Sequence, residues 1–442
     1  MTKLEPSHLT LVLKYLKTPD DYVKISQVSK KVVQSISFLT SNPVPIPPQY
    51  LSKFFPKATE INVWDNEQLT DYLTFADFDI LSKRYLNILF EVDYTTAKSL
   101  QSDSVVLKKV TFNATDRKTY GSNFKEFSEL PHISALDDCC FENENNIKSV
   151  DVPQTVTRLG NKCFSSCSSL DSVVFSKHLL EIGDECFAKC NNLISIEIPS
   201  TVTLLGDSSF QDCGALDLVN FSNYDQMPMY NKEFSELGCL TEIKTNTFNG
   251  CTRLQVVEIP KCVASLGDKC FSGCSDLGGI TIPKGLTFIG PYCFEDNSTL
   301  TELTIPTKVD TIGEGAFKGC GSLKELTISG NGIANVGDSL FEGCSSLKQF
   351  NVSQYVKSIG IETFKGCENL REIVIPSNVS SIGDNCFENC KTLKEITLNE
   401  GLLSIGNYCF KNCTSLTEVE LPKSIRKRGR ECFPSGITVR NK

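Results

Sequence analysis

The chain has 442 residues, 40% of them hydrophobic, and a formal net charge of -9. Residues 105–422 carry 26 basic and 40 acidic side chains, whereas residues 423–442 carry 7 basic and 1 acidic. A body of this sign repels phosphate backbones, which argues against nucleic acid and for a protein partner with a basic segment. The sequence shows no leading signal peptide and no apolar run long enough to span a membrane, so we expect no transmembrane segment and a cytoplasmic location.

Residues 1–40 are predicted to be a small α-helical cap. The apolar residues Leu9, Val12, Leu13 and Leu16 share one face of a helix. A helical unit of this size must bury that face against something else.

Residues 41–49 contain four prolines and are predicted to be an extended linker. Residues 50–104 hold degenerate copies of the pattern described next, such as Ala58-x-x-Ile61-x-Val63. We interpret them as atypical capping repeats.

From residue 105 to residue 442 one pattern recurs, C-F-x-x-C-x-x-L-x-x-I-x-I-P-x-x-V-x-x-I-G. Eleven of the twelve spacings between its marker phenylalanines are 23 or 24 residues. A fixed period of this length predicts a leucine-rich repeat solenoid, in which each coil buries its apolar side chains only against its neighbours. The marker phenylalanines are Phe141, Phe164, Phe187, Phe210, Phe248, Phe271, Phe294, Phe317, Phe341, Phe364, Phe387, Phe410 and Phe433.

Each coil is predicted to contain one short strand and one short helical or 3-10 turn. In a typical coil Ile396 and Leu398 alternate with Glu395 and Thr397, so the apolar pair points inward and the polar pair outward. Neighbouring copies should pair in parallel. A glycine stands four residues before the marker phenylalanine in eleven of thirteen repeats, and we interpret it as a backbone position that needs positive φ.

Two coils carry the same insertion. The hexapeptide KEFSEL occurs at residues 125–130 and again at residues 232–237. We therefore predict insertions near residues 113–130 and 222–237, about 20 Å apart on one side if strands stack at about 5 Å. They are either duplicated bulges or binding loops.

Most of the 21 cysteines fall into two columns, immediately before the marker phenylalanine or three residues after it. Ser, Thr, Ala or Leu replaces Cys in the first column, which predicts reduced, structural thiols. The alternative is zinc, but the spacing is C-x-x-x-C and the chain has only 3 histidines. We expect neither a metal nor a cofactor.

The repeat resembles the BspA-like class of leucine-rich repeats, found in bacterial surface proteins and in expanded protist families, and lacks the export signal of the bacterial type. The resemblance covers residues 105–436. It implies a solenoid that acts in adhesion or protein binding without catalysis.

The N-terminus resembles, more weakly, an F-box, which in other proteins docks on an adaptor of a ubiquitin ligase while the repeats hold the substrate. The usual late Trp is missing. The alternative is a cap with no adaptor. The residues at the anchor positions of the motif are Leu4, Pro6, Leu9, Val12, Leu13 and Leu16.

The outward strand positions of the later coils form two predicted columns, one acidic and one of short polar side chains. The acidic column is either a solvated face or a binding face for a basic segment, because like charges side by side in a sheet are mildly destabilising and call for a compensating reason. The first column contains Glu302, Glu325, Gln349, Glu372, Glu395 and Glu418, and the second includes Thr304, Thr327 and Thr397.

No catalytic constellation competes with this surface. The acidic residues are periodic rather than singular, and His178 has no nucleophile in a recognisable motif. The sequence therefore predicts a non-enzymatic protein interaction scaffold. The alternatives are an F-box-type substrate receptor of a ubiquitin ligase and a surface adhesin exported without a classical signal.

Overall fold

The computed structural model describes residues 41–74, 84–100, 105–121, 133–222, 239–329 and 335–442, with isolated positions at 18, 21, 24, 36, 39 and 333. The chain divides into two compact units, Met1–Leu136 and Asp137–Lys442. The predicted helical cap, with all its anchor residues, lies outside the described residues apart from those isolated positions. Both KEFSEL hexapeptides also lie outside them.

The first unit contains parallel strands, the first three of which are each followed by a helix. Side chains cap two of these helices, since Asp93 accepts from the Thr96 N–H at 2.6 Å and Asn113 forms a capping box with Asp116. β1 pairs with β2, β2 with β3 and β3 with β4, always in parallel. The elements are α1 Pro48–Phe54, β1 Glu60–Val63, α2 Asn66–Thr74, β2 Tyr85–Asp93, α3 Tyr94–Ser99, β3 Val105–Phe112, α4 Ala114–Tyr120 and β4 Ala135–Leu136.

The prediction that the proline-rich segment 41–49 is an extended linker is wrong, since its last two residues already belong to α1. Residues 42, 44, 46 and 48 are buried. The buried Asn42 side chain donates to the Asn62 carbonyl at 2.9 Å and accepts from the Asn62 N–H at 2.7 Å. The Tyr72 hydroxyl donates to the Ile46 carbonyl at 2.9 Å. Proline blocks a ladder hydrogen bond but not this side-chain pairing, so the segment packs on the first unit.

The second unit is the predicted solenoid of parallel strands, and this fold class is confirmed. Most of its described coils have a repeat strand and a two-residue return strand. The repeat strands are β5 Ser149–Asp151, β7 Ser172–Val174, β9 Ser195–Pro199, β11 Leu218–Ser222, β13 Val256–Glu258, β15 Gly279–Thr281, β17 Glu302–Ile305, β19 Glu325–Ile328, β21 Glu372–Ile375, β23 Glu395–Leu398, β25 Glu418–Leu421 and β27 Thr438–Asn441. The return strands are β6 Arg158–Leu159, β8 Glu181–Ile182, β10 Leu204–Leu205, β12 Glu242–Ile243, β14 Ser265–Leu266, β16 Phe288–Ile289, β18 Thr311–Ile312, β20 Ser358–Ile359, β22 Ser381–Ile382, β24 Ser404–Ile405 and β26 Lys427–Arg428.

A continuous stack of the marker phenylalanines runs through the core of the second unit. Consecutive rings lie between 5.1 Å (Phe141–Phe164) and 5.9 Å (Phe271–Phe294) apart, centroid to centroid, and are nearly parallel. This is the offset-stacked arrangement that aromatic side chains prefer. The conserved strand leucines are buried beside it, as predicted; Leu323 has no exposed surface.

The turn around each marker phenylalanine joins its coil to the next one. Lys162, Phe164 and Ser166 donate their N–H groups to carbonyls of the following coil at 2.8, 2.8 and 2.7 Å. Lys162 and Ser166 have φ of 54° and 60°, so every second peptide is turned toward the neighbouring coil. The short helical turns predicted here take the form of single hydrogen-bonded turns.

The prediction that the column glycines need positive φ is wrong. None of the eleven has it. Ten of the eleven instead lack space for a side chain: a Cβ at Gly183 would lie 2.7 Å from the Asn161 nitrogen, and a Cβ at Gly313 would lie 2.3 Å from the Pro291 nitrogen. At these ten positions successive coils approach each other so closely that a methyl group does not fit, and Gly337 is the exception.

The second cysteine column supplies hydrogen-bond donors. The Cys167 thiol donates to the Phe141 carbonyl at 3.1 Å, and the same bond recurs in all ten coils that have this cysteine. In the one coil where Asn297 replaces Cys, its amide donates to the Phe271 carbonyl at 3.0 Å. The column therefore selects a small donor that satisfies a buried carbonyl.

Leu323→Ala is expected to lower the free energy of unfolding by about 2 to 5 kcal/mol, because it removes a fully buried side chain and leaves a cavity in a continuous core. Thermal melting and hydrogen exchange measure the effect. Exchange should increase first in the neighbouring coils, and an unchanged melting curve would contradict the assignment of this leucine to the core.

Candidate interaction face

The predicted site residues lie together on one surface, which we call the strand face: the outward side chains of the repeat strands. All nine predicted residues, from Glu302 to Glu418, are exposed there. Glu302 is the register partner of Glu325, and Glu372 is that of Glu395. Their stacking is therefore as the sequence predicts, while their role in binding stays a prediction.

The acidic column is not continuous. Gln349 lies between β19 and β21 in a stretch, residues 347–353, that the structure describes without a strand. At the far end Glu418 pairs with Arg440 of β27 at 3.1 Å. The column is thus divided by Gln349 into two groups of acids. The first contains Glu302 and Glu325, and the second contains Glu372, Glu395 and Glu418. The charge of Glu418 is already neutralised by Arg440.

A cation stands beside most of the acidic side chains. The column and its basic neighbours line an open groove of about 720 Å³. Since cations and carboxylates alternate in it, the groove is zwitterionic rather than strongly acidic. Its lining residues are Thr301, Glu302, Lys324, Glu325, Lys348, Gln349, Arg371 and Glu372.

The earlier half of the strand face has a different chemistry, which the sequence analysis did not single out. In the same outward columns Ile194 is 52% exposed, Leu218 is 50% exposed and Val256 is 57% exposed. The sequence does contain a sign of this difference. The column that holds glutamate in later coils holds Ser195, Leu218 and Val256 in these coils. Exposed branched apolar residues that cluster are more informative than single ones.

The turns carry a second missed pattern, a ladder of alternating charge in the position after the marker phenylalanine. Lys318 pairs with Glu342 at 3.1 Å, Lys365 with Glu342 at 3.7 Å, and Lys411 with Glu388 at 3.6 Å. The hydrogen bond that Lys318 donates to the Glu342 carboxylate raises the pKa of Lys318. These charges neutralise one another, so the ladder does not present a surface of one sign.

Among the residues that the structure describes, no cluster of His, Cys, Asp and Glu side chains could hold a metal ion. Nor does the described part of the chain contain a helix with the length and apolar character needed to cross a membrane.

A family model accounts for most of the chain. Residues 115–234, 229–348 and 334–440 each match the BspA type Leucine rich repeat region (6 copies). The chain belongs to the BspA-type leucine-rich repeat family. The BspA-type repeats thus include the whole strand face, and the prediction made from the C-F-x-x-C pattern is confirmed.

Several solved structures are similar to these BspA-type repeats, at low sequence identity. A leucine-rich repeat protein from Bacteroides ovatus is 24% identical with a TM-score of 0.48, covering 67% of this chain and 87% of that one. A leucine rich cell surface protein from Faecalibacterium prausnitzii is 23% identical with a TM-score of 0.37, covering 69% and 83%. A search of curated proteins finds no match. The protist type and the F-box-like N-terminus remain predictions.

Proposed function

We infer that this protein is a non-enzymatic scaffold that holds a protein partner against its strand face. The observation that carries the proposal is the repetition itself: in the part of the chain that the structure describes, twelve repeat strands place exposed side chains in columns with a spacing of about 5 Å. Such a surface suits an extended macromolecular partner, whereas catalysis needs one unique constellation in a concave pocket.

The partner carries a basic segment in this proposal, and charge reversal tests it. The triple variant Glu325→Lys, Glu372→Lys and Glu395→Lys should abolish recovery of the partner by affinity purification from the native cell, because it leaves Glu302 as the one acid lining the groove and makes the groove strongly basic. Folding should change little, since these side chains are exposed. Binding by the wild-type chain should also weaken as salt rises, because exposed charges are screened over about 8 to 10 Å.

The matched control reverses three exposed acids on the side of the return strands, Glu181→Lys, Glu242→Lys and Asp310→Lys. It changes net charge by the same amount and should keep the partner. If both triple variants bind as the wild type does, without salt dependence, the acidic column is merely solvated.

The proposed location is a reducing compartment, the cytoplasm. The second cysteine column supports it, because its thiols donate to backbone carbonyls instead of bridging. Thiol counting on denatured protein after rapid alkylation is the test. A majority of bridged cysteines would favour the alternative of an adhesin exported without a classical signal.

An F-box-type substrate receptor is the second candidate, supported by the Leu-Pro-Leu-Val-Leu-Leu spacing of the N-terminus. The double variant Leu9→Ala and Leu13→Ala should then abolish recovery of a ubiquitin-ligase adaptor, while circular dichroism shows the solenoid still folded. If the wild-type chain recovers no adaptor, only the interpretation as a cap remains.

A further inference from the structure

We propose that the specific docking site is an apolar patch with an acidic rim on β9, β11 and β13, and that it binds a peptide segment carrying a large apolar side chain flanked by lysine or arginine. This inference rests on the proposed function and deepens it. It adds to the charged columns of the later coils a specific contact in the earlier half of the strand face.

The patch is contiguous. Leu218 and Val256 are direct register partners on adjacent strands, which places their side chains within contact of each other. Ile194 immediately precedes Ser195, the register partner of Leu218 on the other side. Half or more of each of these three apolar side chains is exposed. Burying such a surface under a partner is favourable by roughly 25 cal/mol per Å² of apolar area.

Two glycines continue the patch, and their own coils do not require them. A Cβ at Gly279 would meet only the Val256 Cγ2 atom at 3.8 Å, and a Cβ at Gly278 only the Asp276 carbonyl at 4.0 Å. Neither has positive φ. Glycine in a strand weakens it unless something approaches the backbone closely. Here the absence of side chains leaves bare backbone beside Val256, where a large side chain of a partner can lie.

The charges around the patch have one sign. On the outward columns of the six coils with strands β5 to β15, five acids face one base, whereas the next six coils have six acids and four bases. The outward columns of the earlier coils therefore carry a net charge of −4, and those of the later coils carry −2. The five acids are Asp151, Asp171, Glu197, Asp217 and Glu258, and the base is Lys148.

This acidic rim identifies the kind of partner. A positive flank on the partner complements the rim, increases the rate of encounter and excludes acidic competitors. An anionic membrane or a nucleic acid would be repelled by the same side chains. An apolar side chain between basic ones satisfies both the patch and its rim.

The test is selection from a random-peptide phage library on the immobilised full-length chain at about 150 mM salt. Selected peptides should share a Trp, Phe or Leu flanked by Lys or Arg. Fluorescence anisotropy should show that Leu218→Ser with Val256→Ser weakens their binding at least tenfold. Serine is the residue that neighbouring coils place in this column, at Ser172 and Ser195.

The control variant is Val374→Ser, because Val374 is 56% exposed on the strand face of a later coil and matches Val256 in exposure. It should leave binding unchanged, and Gly279→Val should weaken binding by filling the bare backbone. Peptides without basic flanks, or binding insensitive to Leu218 and Val256, would overturn the inference. If the native partner is lost from the Glu325, Glu372 and Glu395 triple variant but not from the Leu218 and Val256 double variant, the proposed function stands and this inference fails.

Discussion

Raising the pH above about 9 is expected to destabilise the solenoid steeply. Complete burial raises the pKa of thirteen described thiols in the two cysteine columns, that of Cys320 to about 12. An unfolded thiol ionises near pH 8.5, so above that pH the unfolded chain has released protons that the folded chain still holds. Stability therefore falls as pH rises from the unfolded pKa toward the folded one. The thiols are Cys163, Cys186, Cys190, Cys213, Cys251, Cys270, Cys274, Cys320, Cys344, Cys367, Cys386, Cys390 and Cys409.

The effect is large because many thiols act together. Each one contributes about 1.4 kcal/mol of lost stability per pH unit between its two pKa values. The free energy needed to open only the coils that contain Cys386, Cys390 and Cys409 therefore falls by about 4 kcal/mol per pH unit. Urea unfolding followed by circular dichroism at pH 8, 9 and 10, under reducing conditions, measures the slope.

The control variant replaces these three thiols by residues that the same columns already tolerate. Cys386→Thr and Cys409→Thr copy Thr363, and Cys390→Asn copies Asn297. The free energy of unfolding of this variant should fall less steeply with pH than that of the wild type, because three thiols no longer release protons on unfolding. Equal slopes for the wild type and the variant would show that these thiols do not govern the alkaline limit.

Gly383→Ala is expected to lower the free energy of unfolding by about 4 kcal/mol or more, which is exceptional for the addition of a single methyl group. The new Cβ would lie 2.5 Å from the carbonyl carbon and oxygen of Gly360 and 2.6 Å from the Ile361 nitrogen. These atoms cannot retreat, because the Gly383 N–H bonds to the Ile359 carbonyl at 2.9 Å and holds the two coils together. Thermal and urea unfolding report the loss.

Gly337→Ala is the matched control, since Gly337 occupies the same column two coils earlier. A Cβ there would meet the Glu314 Cα atom only at 3.9 Å, so the substitution should be neutral or stabilise by up to about 1 kcal/mol through the unfolded state. If both variants lose the same stability, backbone conformation rather than the close approach of coils explains the glycine column.

The solenoid could be predicted from the sequence because each coil repeats the same buried positions. Leu323 and Phe317 recur with the period, and burial follows directly from that recurrence. The reason for each column was harder to predict, since it depends on contacts between coils. Periodicity shows that glycine recurs at the position of Gly383 and cysteine at that of Cys390. Only the structure shows that Gly383 avoids a clash with Gly360 and that Cys390 donates to the Phe364 carbonyl.

The site could be predicted only in part. The sequence places Glu325 and Glu372 on one face because their spacing is periodic, and the structure agrees. The apolar patch was missed because Leu218 and Val256 are unlike their counterparts, so they appear as irregularities in a repeat rather than as a surface. Segment 41–49 was misjudged because its order depends on Asn42 and Tyr72 contacts that a proline count does not reveal.

The central claim, that a protein partner binds the strand face, is tested most directly by site-specific photo-crosslinking in the native cell. A photoreactive amino acid is placed at Val256 and Val374 on the strand face, and at Glu181 and Thr311 on the return strands, all of them exposed positions. A protein partner should crosslink to the strand face, most strongly at Val256, and no partner should crosslink to the return strands. Equal crosslinking from both sides, or adducts from the return strands alone, would contradict the central claim.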